Sequence, residues 1–272
     1  MLNNDQVAHY QNQGWVSPID IYDADEIATI RRDLEDAEQT WPDALSGPGR
    51  NNAHLVLPVL DRIAHETRIL DAVEQLIGHD ILISSTTLFI KEPHTKGFVS
   101  WHQDARYVGL EPHNWVTAWL AITDVTEENG CMYMLPGSHQ QPLVEHDDTY
   151  GEDNILTRGQ TIHGVDEDKT VPVLLKAGQL SLHHPRVIHG SGANMSSKRR
   201  IGFAIQSYIG GDVEQVYGRI MVQQARGRNS RIPEHIGRVQ DAMAEDQQQQ
   251  WQDANDALSA VFYEGAEKKG KY

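Results

Sequence analysis

From Ile81 onward the chain breaks into short runs of β-branched and aromatic residues separated by turn signals, and this texture limits the fold more than any other feature. The runs fall at 82–90, 98–108, 115–123, 131–135, 171–175 and 201–208, with Asn129-Gly130, Pro136-Gly137 and Ala177-Gly178 as turns. No helical pattern is interleaved regularly between them, which disfavours a parallel α/β sheet and predicts an antiparallel sandwich or barrel. The first 80 residues read as mainly helical. Asn4 or Asp5 can cap a short helix that Gly14 closes. Asp23 or Asp25 opens a longer one, with Ile27, Ile30 and Leu34 on one stripe and Pro42 as its terminator. A third spans 66–77, where Ile69, Val73 and Ile77 repeat every four residues. The last forty residues return to helix, with Val239, Met243, Leu258, Val261 and Phe262 as apolar positions, Gln247–Gln250 as a solvated face and 267–272 as a frayed end. The expectation is a single domain over 1–272, helical to about 80, β from about 81 to 210, and helical again from about 211 to 272.

Composition excludes several partners. A formal charge of −16 repels a phosphate backbone, and no stretch concentrates enough lysine or arginine to reverse it locally, so nucleic acid is not expected. No run approaches the ~18 apolar residues of a membrane span. The opening Met1-Leu2-Asn3-Asn4-Asp5-Gln6 has neither the basic start nor the apolar stretch of a secretory signal. The one cysteine, Cys131, excludes an intramolecular disulfide framework and fits a reducing compartment, so a cytoplasmic protein is expected. Oligomeric state is not legible.

The chemistry-bearing pattern is His102-Gln103-Asp104, answered far downstream by His189-Gly190-Ser191-Gly192 and Arg199-Arg200. On an extended strand alternate side chains share a face, so the spacing points His102 and Asp104 together and turns Gln103 away. A distal His189 completes a two-histidine, one-carboxylate set, which on iron(II) leaves the opposite side open for a cosubstrate and dioxygen. His139, His183 and His184 are rival histidines. The plain alternative is a pair of core imidazoles and an acid satisfying each other without metal.

With Trp101-His102-Gln103-Asp104, Trp119-Leu120-Ala121-Ile122-Thr123-Asp124 running into Glu128-Asn129-Gly130-Cys131, Leu135-Pro136-Gly137-Ser138-His139, and His189-Gly190-Ser191-Gly192 ahead of Arg200, the segment 88–209 resembles the phytanoyl-CoA dioxygenase superfamily of iron(II)- and 2-oxoglutarate-dependent oxygenases. The resemblance implies a double-stranded β-helix, a jelly roll of cupin-like type, with helices packed around it. It implies iron(II) on His102, Asp104 and His189, and 2-oxoglutarate and dioxygen as cosubstrates. The distal carboxylate of 2-oxoglutarate would meet Arg200, with Trp119, Gln103, Ser191 and Thr87 as further contacts. An intact carboxylate at Asp104, where related halogenases carry a small residue, implies hydroxylation of a C–H bond.

Alternation on 200–206 separates Ile201, Phe203 and Ile205 from Arg200, Gly202, Ala204 and Gln206. Small Gly202 and Ala204 are expected to leave room beside Arg200 for a dicarboxylate gripped by the guanidinium fork. Arg106, Tyr107 and His54 are candidates to face substrate, and the polar segment between His139 and Thr170 is either a lid or a solvated excursion. The expected substrate is a small metabolite. Arg106, Arg186 and Lys91 permit an anionic group, and an organophosphonate such as 2-aminoethylphosphonate is one specific candidate. Three other readings stay open: a cupin-like metal-dependent hydrolase or isomerase, a non-catalytic small-molecule barrel, and an oxygenase acting on a protein or carrier-bound acyl group.

Overall fold

A computed structural model of the chain describes residues 1–229 and 231–267. Helix α1 (Asn4–Gln13) begins on Asn3, whose side chain accepts from the Gln6 N–H while the Gln6 side chain returns to the Asn3 backbone. Gly14, at φ 95°, ends it. Strand β1 (Trp15–Asp20) follows, then α2 (Ala24–Thr40) on an Asp23–Glu26 capping box, α3 (Pro58–Ala64) and α4 (Thr67–Ile77). The strands continue as β2 (Ile81–Ile83), β3 (Thr86–Lys91), β4 (Val99–His102), β5 (Leu110–Glu111), β6 (Trp115–Ala121), β7 (Met132–Met134), β8 (Asp147–Asp148), β9 (Gln160–Thr161), β10 (Val171–Val173), β11 (Gln179–His183), β12 (His189–Ser191), β13 (Arg200–Ile209), β14 (Glu214–Gln215) and β15 (Gln223–Arg226). Helix α5 (Glu245–Phe262) comes last.

Two antiparallel sheets face each other. The larger has seven strands in the order β1-β11-β6-β13-β2-β15, with β3 also on β13, and the smaller runs β10-β7-β12-β4. This is the expected mainly-β jelly roll with flanking helices. Period-two alternation divides the side chains of the larger sheet. Val116, Ala118 and Leu120 of β6, Leu180 and Leu182 of β11, and Ile201, Phe203 and Ile205 of β13 pack outward against Ile27, Leu34, Leu60, Ile69 and Val73 of the helices. The opposite face turns Trp119, Ala121 and Ala204 toward Met132, Met134 and Val187, and that inner space holds the polar groups described below.

Strands also occur in the two flanking parts expected to be helical. Besides their helices the first 80 residues supply β1, which pairs with β11 in the larger sheet. Among the described residues, helix in the C-terminal part is confined to α5; β14 and β15 occupy part of 211–244, and Val239 and Met243 are packed but not helical. The polar run Gln223–Arg226 hides its strand character because it is an edge, hydrogen-bonded to β2 on one side. The expected fray at 268–272 lies outside the described residues. No helix among the described residues is long and apolar enough to cross a membrane.

Candidate active site

His102 closes β4 and His189 opens β12, and the two are directly paired across the smaller sheet. Asp104 is not on the strand with His102, because the chain leaves extended geometry at Gln103 and begins a 3-10 turn at Asp104. That turn, and not strand alternation, brings the carboxylate back to the histidines. One carboxylate oxygen, Oδ1, lies 3.3 Å from Nε2 of His102 and 3.8 Å from Nε2 of His189. Ligand atoms of the three residues lie within 4.8 Å of one another.

The donor set fits a metal ion. Nδ1 of His102 bonds the Ser100 carbonyl at 2.9 Å, and Nδ1 of His189 bonds the Val187 carbonyl at 3.1 Å. Each bond fixes the N–H on Nδ1 and leaves the Nε2 lone pair for the shared centre. Burial, reinforced by His102, holds His189 well below the usual imidazole range, which favours the neutral form that ligates. Burial pushes the Asp104 carboxyl upward, but His189 and the hydrogen bonds of His102 and His183 outweigh it and hold the group well below its ordinary value.

A cavity of ≈ 370 Å³ opens from this cluster into the barrel. Arg200 and Lys91 form its cationic end. They are direct cross-strand partners on β13 and β3, each 2% exposed. Arg200 donates through Nη1 to the Gly130 carbonyl, its Nε is buried without a partner, and its guanidinium carbon lies 5.2 Å from the Trp119 ring centre. Lys91 donates to the Ser191 hydroxyl at 2.8 Å and to the Gly192 carbonyl. Among the described residues neither cation has a carboxylate partner. Burial pushes Arg200 down to about 10, and burial with the neighbouring Arg200 pushes Lys91 down to about 6. Arg199 is spoken for, with Nε 2.8 Å from Glu92 and Nη2 2.5 Å from Glu38 on the outside of the sheet.

The other sequence candidates divide. Trp119, Ser191, Thr87 and Tyr107 line the cavity. Gln103 also borders the cavity but is fully buried, and its side-chain amide ties loops together, donating to the Arg186 carbonyl at 2.7 Å and accepting from the Val144 N–H at 2.9 Å. His54 is not at the mouth: it is 1% exposed, bonded to Thr86 Oγ1 at 2.8 Å and pushed down to about 3 by burial. Arg106 is exposed and Arg186 half-buried, and both lie outside the lining. Gly202 does not leave room for a ligand; a Cβ there would meet the Trp119 ring at 1.8 Å, so the glycine exists to let the indole lie across β13. Lys91, noted in the sequence only as a general cation, proves the closest companion of Arg200, and only the β3–β13 register reveals it.

The segment between His139 and Thr170 is a wall. Ile155 and Ile162 donate their N–H groups to the carbonyls of Phe98 and Trp101, and Ser100 Oγ reaches the Gln160 carbonyl at 2.5 Å, so it is stitched along β4. Ile155, Leu156 and Thr157 of this segment and Phe262 of α5 border the cavity.

A profile of the family described as phytanoyl-CoA dioxygenase matches residues 10–202, which take in every metal-facing and cationic group above. The chain belongs to the phytanoyl-CoA dioxygenase family. As a member of this group of iron(II)- and 2-oxoglutarate-dependent oxygenases, it is a dioxygenase that uses iron(II), 2-oxoglutarate and dioxygen. Among curated proteins it is similar to a probable alpha-ketoglutarate-dependent hypophosphite dioxygenase of Stutzerimonas stutzeri, 25% identical over 236 residues that span 79% of this chain and 81% of that one. It is also similar to the peroxisomal phytanoyl-CoA dioxygenase of Bos taurus, 34% identical over 133 residues, 47% of this chain and 40% of the bovine protein. Among solved structures, the non-heme monooxygenase ThoJ in its apo form superposes with a TM-score of 0.85 at 29% identity, covering 96% of this chain and 98% of that one.

Proposed function

We propose that this family member hydroxylates a C–H bond of a small anionic metabolite, and that an organophosphonate such as 2-aminoethylphosphonate is the first substrate to test. In this reading His102, Asp104 and His189 hold the iron. Arg200, with Lys91 and Ser191 beside it, takes the distal carboxylate of 2-oxoglutarate, and Trp119 walls that berth. The observation that carries the reading is the buried Arg200 guanidinium without a carboxylate partner, with the Lys91 amine beside it, set in the same cavity as the His-Asp-His cluster in a chain of net charge −16. A desolvated charge of this kind is costly unless a counter-charge arrives, and a dicarboxylate supplies one. Support for a phosphorus-containing substrate comes from the Stutzerimonas relative, which is named as a probable hypophosphite dioxygenase.

Bound iron(II) supplies the coupling of dioxygen and 2-oxoglutarate to substrate oxidation, giving the hydroxylated product, succinate and carbon dioxide. The protein's own residues orient and border the site. The i−2 carbonyl bonds aim both imidazoles. The stack of Arg200 on Trp119 fixes the guanidinium. Ile155, Leu156 and Phe262 give the cavity an apolar border. The test is an anaerobic titration with Fe(II) and 2-oxoglutarate, read by the charge-transfer band of the chelate, followed by a metabolite screen for substrate-dependent succinate. Protein that takes up neither iron nor 2-oxoglutarate would contradict the assignment. Succinate that responds to carboxylates or amino-acid derivatives but to no phosphonate would overturn the substrate class alone.

A further inference from the structure

The two oxygens of Asp104 face different surroundings. Oδ1 faces Nε2 of His102 and His189, at 3.3 and 3.8 Å. Oδ2 points the other way, to Thr117 Oγ1 at 2.7 Å and to His183 Nε2 at 3.3 Å. Thr117 and His183 are direct cross-strand partners on β6 and β11, so their side chains leave the sheet on the same inner face, side by side.

The two prongs are not equivalent. Thr117 Oγ1 also lies 2.8 Å from the Gln206 carbonyl, and a hydroxyl has one proton for the two acceptors. His183 has no competing acceptor: its Nδ1 is buried without any partner, so an imidazole protonated on Nε2 directs its single N–H at Asp104. An orphaned ring nitrogen at a position 1% exposed is unusual in a folded interior and calls for a reason. No metal role is needed for this ring, because the ligand cluster is complete with His102, Asp104 and His189.

We propose that His183 is a positioning residue that pins the outer oxygen of Asp104, so that the carboxylate offers the metal a single oxygen. The inference rests on the reading that Asp104 is a metal ligand. A carboxylate released at Oδ2 can turn and present both oxygens, taking a second coordination position on the side that a facial set must leave open. His183 thus guards the vacant side without touching it.

The test uses the full chain and three replacements, His183→Phe, His183→Gln and His183→Asn, with Asp104→Ala as the control for the parent reading. Gln places an amide N–H near the site of imidazole Nε2, whereas Asn reaches only as far as Nδ1. The probe is Co(II) alone under anaerobic conditions, read as affinity and as the visible absorption of the bound ion, which reports coordination number. Loss of an outer hydrogen bond to a ligand weakens binding roughly 10- to 100-fold, and we expect that loss in His183→Phe together with an altered Co(II) spectrum, with both restored in His183→Gln. If the Phe protein does not fold, the same contrast is read between Asn, expected weak and spectrally altered, and Gln, expected normal. Wild-type affinity and spectrum in the Phe or Asn protein would overturn the proposal, as would a Gln protein no better than either. Equal Co(II) binding by wild type and Asp104→Ala would instead overturn the ligand assignment beneath it.

Discussion

Lys91 and Arg200 sit side by side in the wall of the cavity, yet the burial that surrounds both acts on them differently. Arg200, pushed only to about 10, keeps its charge at neutral pH, while Lys91, pushed to about 6, gives up its proton in the ligand-free protein. For a lysine with a depressed native value, the unfolded chain binds a proton that the folded chain lacks between about pH 6 and the ordinary lysine range. Stability of the ligand-free protein therefore gains from this group as pH rises through that window, and urea melts of Lys91→Met should show a flatter pH slope. Binding of an anion returns the proton, so 2-oxoglutarate affinity should fall as pH rises from 6 to 8, and less steeply in the Met variant. Arg200→Ala removes a buried charge-assisted anchor worth about 1.5–3 kcal/mol, raising the 2-oxoglutarate KM on the order of tenfold or more; Arg199→Ala, which loses only outer pairs with Glu38 and Glu92, should leave that KM nearly unchanged. At Gly202 a methyl group would drive into the Trp119 ring, and Gly202→Ala should cost about 1–3 kcal/mol or more by denaturant titration.

Elements explain which of these groups could be read from sequence. Alternation along β13 is clean because both of its faces are buried in chemically different layers, so Arg200, Gly202, Ala204 and Gln206 were separable from Ile201, Phe203 and Ile205 by pattern alone. His102 and Asp104 were found by the right spacing for the wrong reason, since local spacing does not distinguish a strand from a strand that ends in a 3-10 turn. His183 and Lys91 stood out only as a rival histidine and a general cation, without a place in the site. Each becomes meaningful only through a cross-strand partner, Thr117 and Arg200, and register is set by long-range packing that no window of sequence contains. His54 misled because a polar residue looks functional until its hydrogen bond is traced into the core. The C-terminal helix offers a test at this scale. Trp251 donates to the Asn51 carbonyl at 2.8 Å and Asn255 accepts from Asn52 at 3.0 Å, while the Asn52 carbonyl oxygen of the side chain accepts the Thr86 N–H, joining α5 to β3. Asn52→Ala strands that buried N–H and should cost about 1–3 kcal/mol, seen as a lower urea midpoint with the α5 ties loosened, which limited proteolysis near residue 250 would report.

At the scale of the molecule, ligands that bind only the folded form add to stability by mass action. Fe(II) or Co(II) with 2-oxoglutarate at about 100 times their dissociation constants should add about 2.7 kcal/mol. For a domain of this size each kcal/mol raises Tm by roughly 2–4 °C, and a chelator should reverse the shift; an unchanged Tm would count against a metal centre. The cavity has a further property that follows from where its parts lie along the chain. The metal-facing residues and the Lys91–Arg200 pair all lie between Lys91 and Arg200, on the two sheets and on the 3-10 turn that carries Asp104, whereas the rim is contributed by Gly47, Arg50 and Asn51, by the wall residues Ile155, Leu156 and Thr157 and by Phe262 near the far end of the chain. Reactive hardware and entrance fittings are thus encoded in separate stretches, and a lineage could exchange the collar for a new one, admitting a different guest, while the engine beneath it kept running undisturbed.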